Sequence, residues 1–417
     1  MVSIPKPGVL PLPVSKVKEE FMDPLSQITI LSLEQATVLP YLTFRLVQDG
    51  VQVIRLEHPV FGDPNRMVGD NVLQEERMFS YFMAINAGKK ALTLNLGVPE
   101  GQQILKDLIV KLKVDIFATN QLPRNYTKLG IDYEILKAVK PDLIWLGITG
   151  FGPDSNEAAY DPILQARGGL MELTGEADGE PQVLGIPLPD MGASEHAYGL
   201  VMKALFRRQA TGQGSRIDLS MFESTVSWLT VPITLSRSFG KKITRRGNTH
   251  EFFAPVSVYP TADGYVYVAG GNDKQWNALT QLPGFEMLAQ EGYRKNAGRI
   301  AEVKRLNQEI SAITRKFGSA ELINLFNQIG VPISEIHGID QVVQDPLVAR
   351  NLLRTKDPKT GLEITLAPPP NMTEYLKSCG GQLSFPPRFG EHNGAIYGQV
   401  LGLGPDQINE MKEKGII

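Results

Sequence analysis

The groups left to do chemistry in this chain are carboxylates, amides, hydroxyls and backbone donors, because the familiar nucleophile and cofactor signatures are missing. No G-x-G-x-x-G follows a strand-like run; Gly147, Gly150 and Gly152 have the wrong spacing. There is no G-x-x-x-x-G-K-[ST], which argues against a nucleoside triphosphatase, and neither G-x-S-x-G nor H-E-x-x-H occurs. His58, His196, His250, His337 and His392 are scattered, and the single cysteine, Cys379, excludes an intrachain disulfide and a cysteine-cluster metal site. No metal is expected. Among the carboxylates Asp190 stands out. It lies between Leu188-Pro189 and a run in which Ala197, Tyr198, Val201, Met202 and Leu205 recur at helical spacing. That reads as an N-cap position, where backbone amides and the helix dipole favour a charged carboxylate. Taken alone, such a residue reads as a cap contributing about 1 kcal/mol.

The elements that must position it follow from composition and periodicity. The chain has 417 residues, 42 basic and 45 acidic side chains, and a net charge of −3. Hydrophobic residues make up 42% and charged ones 21%, an ordinary globular balance with room for two or three domains. The near-neutral charge argues against a nucleic-acid partner. No apolar run reaches the 18 or more residues of a membrane helix, and Val9–Val14, cut by Pro11 and Pro13, lacks a signal-peptide layout. The default expectation is a soluble cytoplasmic protein.

Residues 1–27, with five prolines, read as an extended arm. Ile28–Leu33, Val51–Leu56, Ala91–Leu96, Val114–Ala118 and Leu143–Ile148 are short apolar runs that suit buried strands. Helix-period segments lie between them, most clearly Pro99 to Lys113. This alternation predicts βαβ crossovers and a mainly parallel sheet in a large α/β domain over 28–227. Beyond it, Ala254–Tyr259 and Gly264–Gly270 flank a turn signal and predict an antiparallel hairpin. Helices are expected around Lys274–Gln281, Ile300–Phe317 and Ala320–Ile329, which sets a smaller α+β domain at 228–340. The proline-rich tail, 341–417, is expected to run back over the first domain.

Read together, several segments resemble the class III coenzyme A transferases, the group of formyl-CoA and carnitine CoA-transferases. They are Asp49–Glu57, Gly62-Asp63-Pro64-Asn65-Arg66, Asn86–Lys90, Gly150-Phe151-Gly152, Tyr160–Ala166, Asp190-Met191-Gly192-Ala193, Thr211–Gly214, Gly330–Ile333 and Gly390-Glu391-His392. The resemblance runs from about Ile28 to the C-terminus. It implies a Rossmann-like domain built from both ends of the chain, an interlocked dimer, and CoA thioesters as substrates with no tightly bound cofactor. It also carries the role of nucleophile onto Asp190, which would attack an acyl-CoA thioester and pass CoA to a carboxylic acid, with succinyl-CoA as a guess for the donor.

The same resemblance points to Leu94, Asn95, Asn120, Arg124, Lys128, Tyr160 and Asp161 as CoA or substrate contacts, and to Gly270 and Gly271 as a lid. Arg124 and Lys128 read equally as solvated loop charges, and Tyr160 as a packing residue under the Asp190 loop. Related acyl-CoA racemases carry histidine where this chain has Tyr160; a phenol, with an ordinary pKa of about 10, is a poor base at neutral pH. That favours transfer over racemisation. Departures at His58, Gln121 and Lys128 from the family's CoA motifs leave open a weakly CoA-binding, non-catalytic subunit in a hetero-oligomer. Homodimer and heterodimer both remain possible partners. Trp276 and His392 are read as structural.

Overall fold

The computed structural model describes residues 23–417. The expected proline-rich arm therefore lies, up to residue 22, outside the described residues. Six parallel strands form the main sheet: β1 (Thr29–Leu33), β2 (Gln52–Glu57), β3 (Lys90–Thr93), β4 (Ile116–Thr119), β5 (Ile144–Thr149) and β6 (Ser215–Ser220), in the order β3-β2-β1-β4-β5-β6. The first five answer the expected apolar runs. β6 was not anticipated, because it is an edge strand whose Arg216 and Asp218 remain exposed, leaving no continuous apolar run.

Alternate residues of these strands serve opposite faces, as the two-residue period requires. Ile30, Val53, Ile116 and Ile144 pack against helices α1 (Val38–Val47) and α4 (Leu188–Thr211). Leu31, Ile54, Phe117 and Trp145 pack on the other face against Leu105, Leu108 and Ile109 of α2 (Pro99–Lys111). Pro99 opens α2 at a position where its missing N–H costs nothing. Each such side chain contributes about 1.5–3 kcal/mol on full burial. Later residues finish this second face. Ile396, Tyr397, Ile408, Ile416 and Ile417 join its core, the Tyr397 hydroxyl donates to the Thr93 carbonyl at 2.7 Å, and the Asn95 amide donates to that of Ile416 at 2.8 Å.

The expected hairpin is present: β7 (Val256–Pro260) pairs antiparallel with β8 (Tyr265–Ala269), and β9 (Ile333–Glu335) adds to β8. Helices α7 (Val303–Thr314) and α8 (Ser319–Gln328) close a separate core over this sheet, in which Trp276 is only 2% exposed. In chain order, α5 (Met221–Ser227) and α6 (Thr230–Phe239) link the main sheet to this one. The segment after 341 holds a third, unanticipated sheet of β10 (Leu353–Lys356), β11 (Glu363–Leu366) and β12 (Gln382–Leu383). Its Leu353, Leu366 and Leu383 enter the core beneath α1. His392 is structural, as read: its Nδ1 accepts from the Ala91 amide at 3.2 Å. Among the described residues no helix is long and apolar enough to cross a membrane.

Candidate active site

The chain leaves β1 toward β2 and β3 on one side, then returns to place β4, β5 and β6 on the other. At that switch point the loops after β1 and β4 diverge and leave a crevice at the carboxyl ends of the strands, where open α/β sheets take their ligands. A cavity of about 290 Å3 lies there, walled by Gln35–Val38 after β1, Asn120–Leu122 after β4, Ile148–Gly150 from β5, and Tyr160, Asp161 and Asp190. A second cavity of about 230 Å3 lies over β1, β2 and β3, lined by Leu33, Leu56, Leu94, Leu96, Phe61 and Leu129. Gln35 and Gln121 border both.

Helix α4 presents Asp190 to the first cavity. Ala193, Ala197 and Val201 bury one face of α4 beside α1, and the Ser194 hydroxyl donates to the Val38 carbonyl at 2.5 Å. The expected N-cap position is corrected: α4 starts at Leu188, Pro189 falls at its second position, and Asp190 is the third helical residue. The expected preference for the charged form is corrected too. Burial, and after it the nearby Asp161 carboxylate, together raise the Asp190 carboxyl to about 7. These two effects outweigh the helix dipole, which typically contributes 0.3–1 kcal/mol. Asp161 itself is buried at the start of α3 (Asp161–Arg167), and that burial pushes its carboxyl upward. Its oxygens are spoken for: Gln165 Nε2 donates to Oδ1 at 2.6 Å and the Asp190 amide to Oδ2 at 3.2 Å. Among the described residues, no protein donor reaches the Asp190 carboxylate within hydrogen-bond distance. A half-buried, unengaged carboxylate facing a cavity can act as a nucleophile or as a base.

The remaining expected contacts divide into groups. Tyr160 borders the cavity but is 74% exposed, so the packing alternative fails. Leu94 lines the second cavity. Asn95 turns away, with Nδ2 donating to the Gly415 carbonyl at 3.2 Å and Oδ1 accepting from Gly97. Asn120 reaches the cavity wall, yet its amide is used to clamp Gln35, donating to the carbonyl at 2.8 Å and accepting from the amide at 3.1 Å. Arg124 and Lys128 are exposed on the segment between the two cavities, and among the described residues neither has a carboxylate within 4.0 Å. Gly270 and Gly271 line neither cavity. They follow β8, where the Gly270 amide donates to the Pro255 carbonyl and the Gly271 amide to Gln275 Oε1.

Sequence reasoning missed what lies beneath the first turn. Glu34, Glu57 and Asp63 are buried with Arg55, Arg66 and Lys89, three carboxylates against three cations. Arg66 grips Glu57 with two 2.7 Å hydrogen bonds, and Lys89 Nζ donates to Glu34 Oε1 at 3.0 Å, the Pro40 carbonyl and Asn86 Oδ1. Burial opposes ionisation of Glu34, but Lys89 and Arg55 hold its carboxyl below the ordinary range. Burial brings the Lys89 amine down to about 8. A partial signal for this cluster was available: Arg55 and Glu57 fall at alternate positions within the strand-like run Val51–Leu56 and its end.

A family description, CoA-transferase family III, matches residues 25–393. The succinyl-CoA:glutarate CoA-transferase of Mus musculus is 30% identical over 403 residues, 95% of this chain and 91% of that protein. The succinyl-CoA:mesaconate CoA-transferase of Haloarcula marismortui is 33% identical over 376 residues, 87% of this chain and 93% of the relative. Among solved structures, a CAIB/BAIF family protein from Brucella suis superposes with a TM-score of 0.79 at 30% identity, covering 90% of this chain and 99% of its own.

Proposed function

Because the chain belongs to CoA-transferase family III, we propose that it moves CoA from succinyl-CoA to a dicarboxylic acid through a covalent intermediate on Asp190. One observation carries the reading: of the two carboxylates at the switch-point cavity, only Asp190 has oxygens left free to react. The ionised carboxylate attacks the thioester carbonyl, the C–S bond breaks, and the CoA thiolate leaves a mixed anhydride on Asp190. The thiolate then attacks the Asp190 carbonyl, which releases the donor acid and forms an aspartyl thioester. The acceptor carboxylate displaces CoA once more, and the thiolate finally attacks the acceptor's carbonyl. One thioester is consumed and one is made, so the exchange is close to thermoneutral and needs no nucleotide.

The choice of substrates draws on the names of relatives: glutarate and mesaconate are both dicarboxylates, and both enzymes are named for succinyl-CoA. Leu94 among the aliphatic side chains of the second cavity, with the unpaired Arg124 and Lys128 between the cavities, suits the body and phosphates of CoA. The raised Asp190 would equally suit removal of an α-proton. Solvent-deuterium incorporation at the α-carbon, without transfer, would favour that racemase reading. An interlocked dimer is supported by α6, which buries none of its residues and leaves Val231, Ile233 and Phe239 exposed beside Trp228.

The test is chemical trapping. Incubation with succinyl-CoA and hydroxylamine should convert Asp190 to a hydroxamate detectable by mass spectrometry. Turnover with no modification at Asp190 would reject the covalent route.

A further inference from the structure

The turn after β1 contains a backbone conformation that its sequence does not favour. Ala36 has φ of +61°, a left-handed value that an L-residue with a Cβ adopts only under constraint. In many dinucleotide-binding folds a glycine takes the tight first turn; here an alanine does so in the wall of the Asp190 cavity. The constraint comes from another loop. The Ala36 amide donates to Asp63 Oδ1 at 3.0 Å, and Asn65 Nδ2 donates to the Ala36 carbonyl at 2.7 Å. Asp63 Oδ1 also accepts from the Asn65 amide at 3.0 Å, and Asp63 Oδ2 from Arg55 at 2.7 Å. Both polar groups of the strained residue are thus bonded to the 63–65 loop, which is itself anchored in the buried charge cluster. Asn120 clamps the preceding residue, Gln35, from the far side.

We propose that Asn65, which does not line the cavity, is a positioning residue for CoA transfer: it holds Ala36 left-handed and so fixes Gln35 and Thr37 against Asp190. Strain kept at a cavity wall by surrounding hydrogen bonds is a form of preorganisation. Asn65 is the most specific handle on it, because its side chain donates to the Ala36 carbonyl while Asp63 also serves Arg55. This inference rests on the switch-point cavity being the reaction site, as proposed above.

The experiment is a double-mutant cycle on the full chain, with transfer from succinyl-CoA followed at saturating substrate. Asn65→Ala is expected to lower kcat by roughly tenfold, the effect of one lost hydrogen bond to a buried backbone group, with the KM for acyl-CoA within about twofold. Adding Ala36→Gly should recover at least about threefold of that loss, because glycine takes positive φ without the Cβ penalty. The same change in the wild-type background should give no such gain. Ala36→Val, with a β-branched side chain disfavoured at positive φ, should reproduce the Asn65→Ala defect in a protein with wild-type circular dichroism. A wild-type kcat in Asn65→Ala overturns the proposal, as does strict additivity of the two changes. Should Asn65→Ala fail to fold, Ala36→Val decides: unaltered kcat there overturns it equally. Asp190→Asn, assayed in parallel, separates the two readings. If Asp190→Asn remains active, the nucleophile fails while the Asn65–Ala36 coupling can still be measured. If it is dead and Asn65→Ala is fully active, only the present inference falls.

Discussion

Replacing Asp190 by Asn should make the protein more stable above neutrality while removing its activity. In the native state the carboxyl holds its proton up to about 7, against an ordinary value of 3.8. The native state therefore binds more protons than the unfolded chain between these values, and wild-type stability falls as pH rises from about 4 to about 7, then stays level. The difference is roughly three pKa units, and at about 1.36 kcal/mol per unit the ceiling is about 4 kcal/mol. Asp190 is only half-buried, so hydration on ionisation reduces this, and about 2 kcal/mol is the working figure. For a chain of this size that corresponds to roughly 2 °C in Tm. Urea unfolding of wild type and Asp190→Asn at pH 4, 5.5, 7 and 8.5 provides the assay. The two proteins should be nearly equal at pH 4, and the variant should gain progressively up to about pH 7. In an Asp161→Asn background the gain should shrink, since the neighbouring carboxylate supplies part of the shift. Parallel curves across this range, or a variant weaker at pH 8.5, would refute the electrostatic account of the site.

Transfer should vanish in Asp190→Ala with the fold retained, and more than a few per cent of residual rate would sink the nucleophile assignment. The profile of kcat/KM should rise with pH through an acid limb near 7, where Asp190 ionises, and Asp161→Asn should move that limb to lower pH; a limb fixed in place means that Asp161 does not act on the nucleophile. Lys128→Ala should raise the KM for acyl-CoA roughly tenfold or more with kcat little changed, whereas an unchanged KM returns Lys128 to a solvated loop charge. Lys89→Met should destabilise the protein by about 3–5 kcal/mol, because Glu34 is left buried without its closest cation; a loss below about 1 kcal/mol, read by urea unfolding, would show that the cluster relaxes around the gap.

Much of this fold could be read from one-dimensional pattern. β1 to β5 declared themselves because strands buried on both faces need mostly apolar runs, and the β7–β8 hairpin because its turn residues allow little else. Partly exposed strands stayed hidden: β6 alternates charge with aliphatics, and β10 pairs Leu353 and Thr355 inward against exposed Arg354 and Lys356. At the site, the identity of the candidate nucleophile was legible and its environment was not. The upward shift on Asp190 depends on Asp161, 29 residues earlier in the chain and brought close only by the packing of α3 on α4. The left-handed Ala36 was beyond reach for a similar reason. Nothing in Gln35-Ala36-Thr37 calls for positive φ; the demand is imposed by side chains of Asp63 and Asn65 on a different loop.

The way the second face of the main sheet is completed also has a consequence for biosynthesis. Thr93 on β3 waits for Asn393, 300 residues further along, to receive the hydrogen bond from its amide, and the cores of β1, β2 and β4 wait for Ile396, Tyr397 and Ile408. At a translation rate of about 5–20 residues per second, that interval lasts roughly 15–60 s. During it, the part of this face that Ile396, Tyr397 and Ile408 later cover stays open beside α2, which makes the nascent chain a natural client for chaperones that shield extended apolar strands.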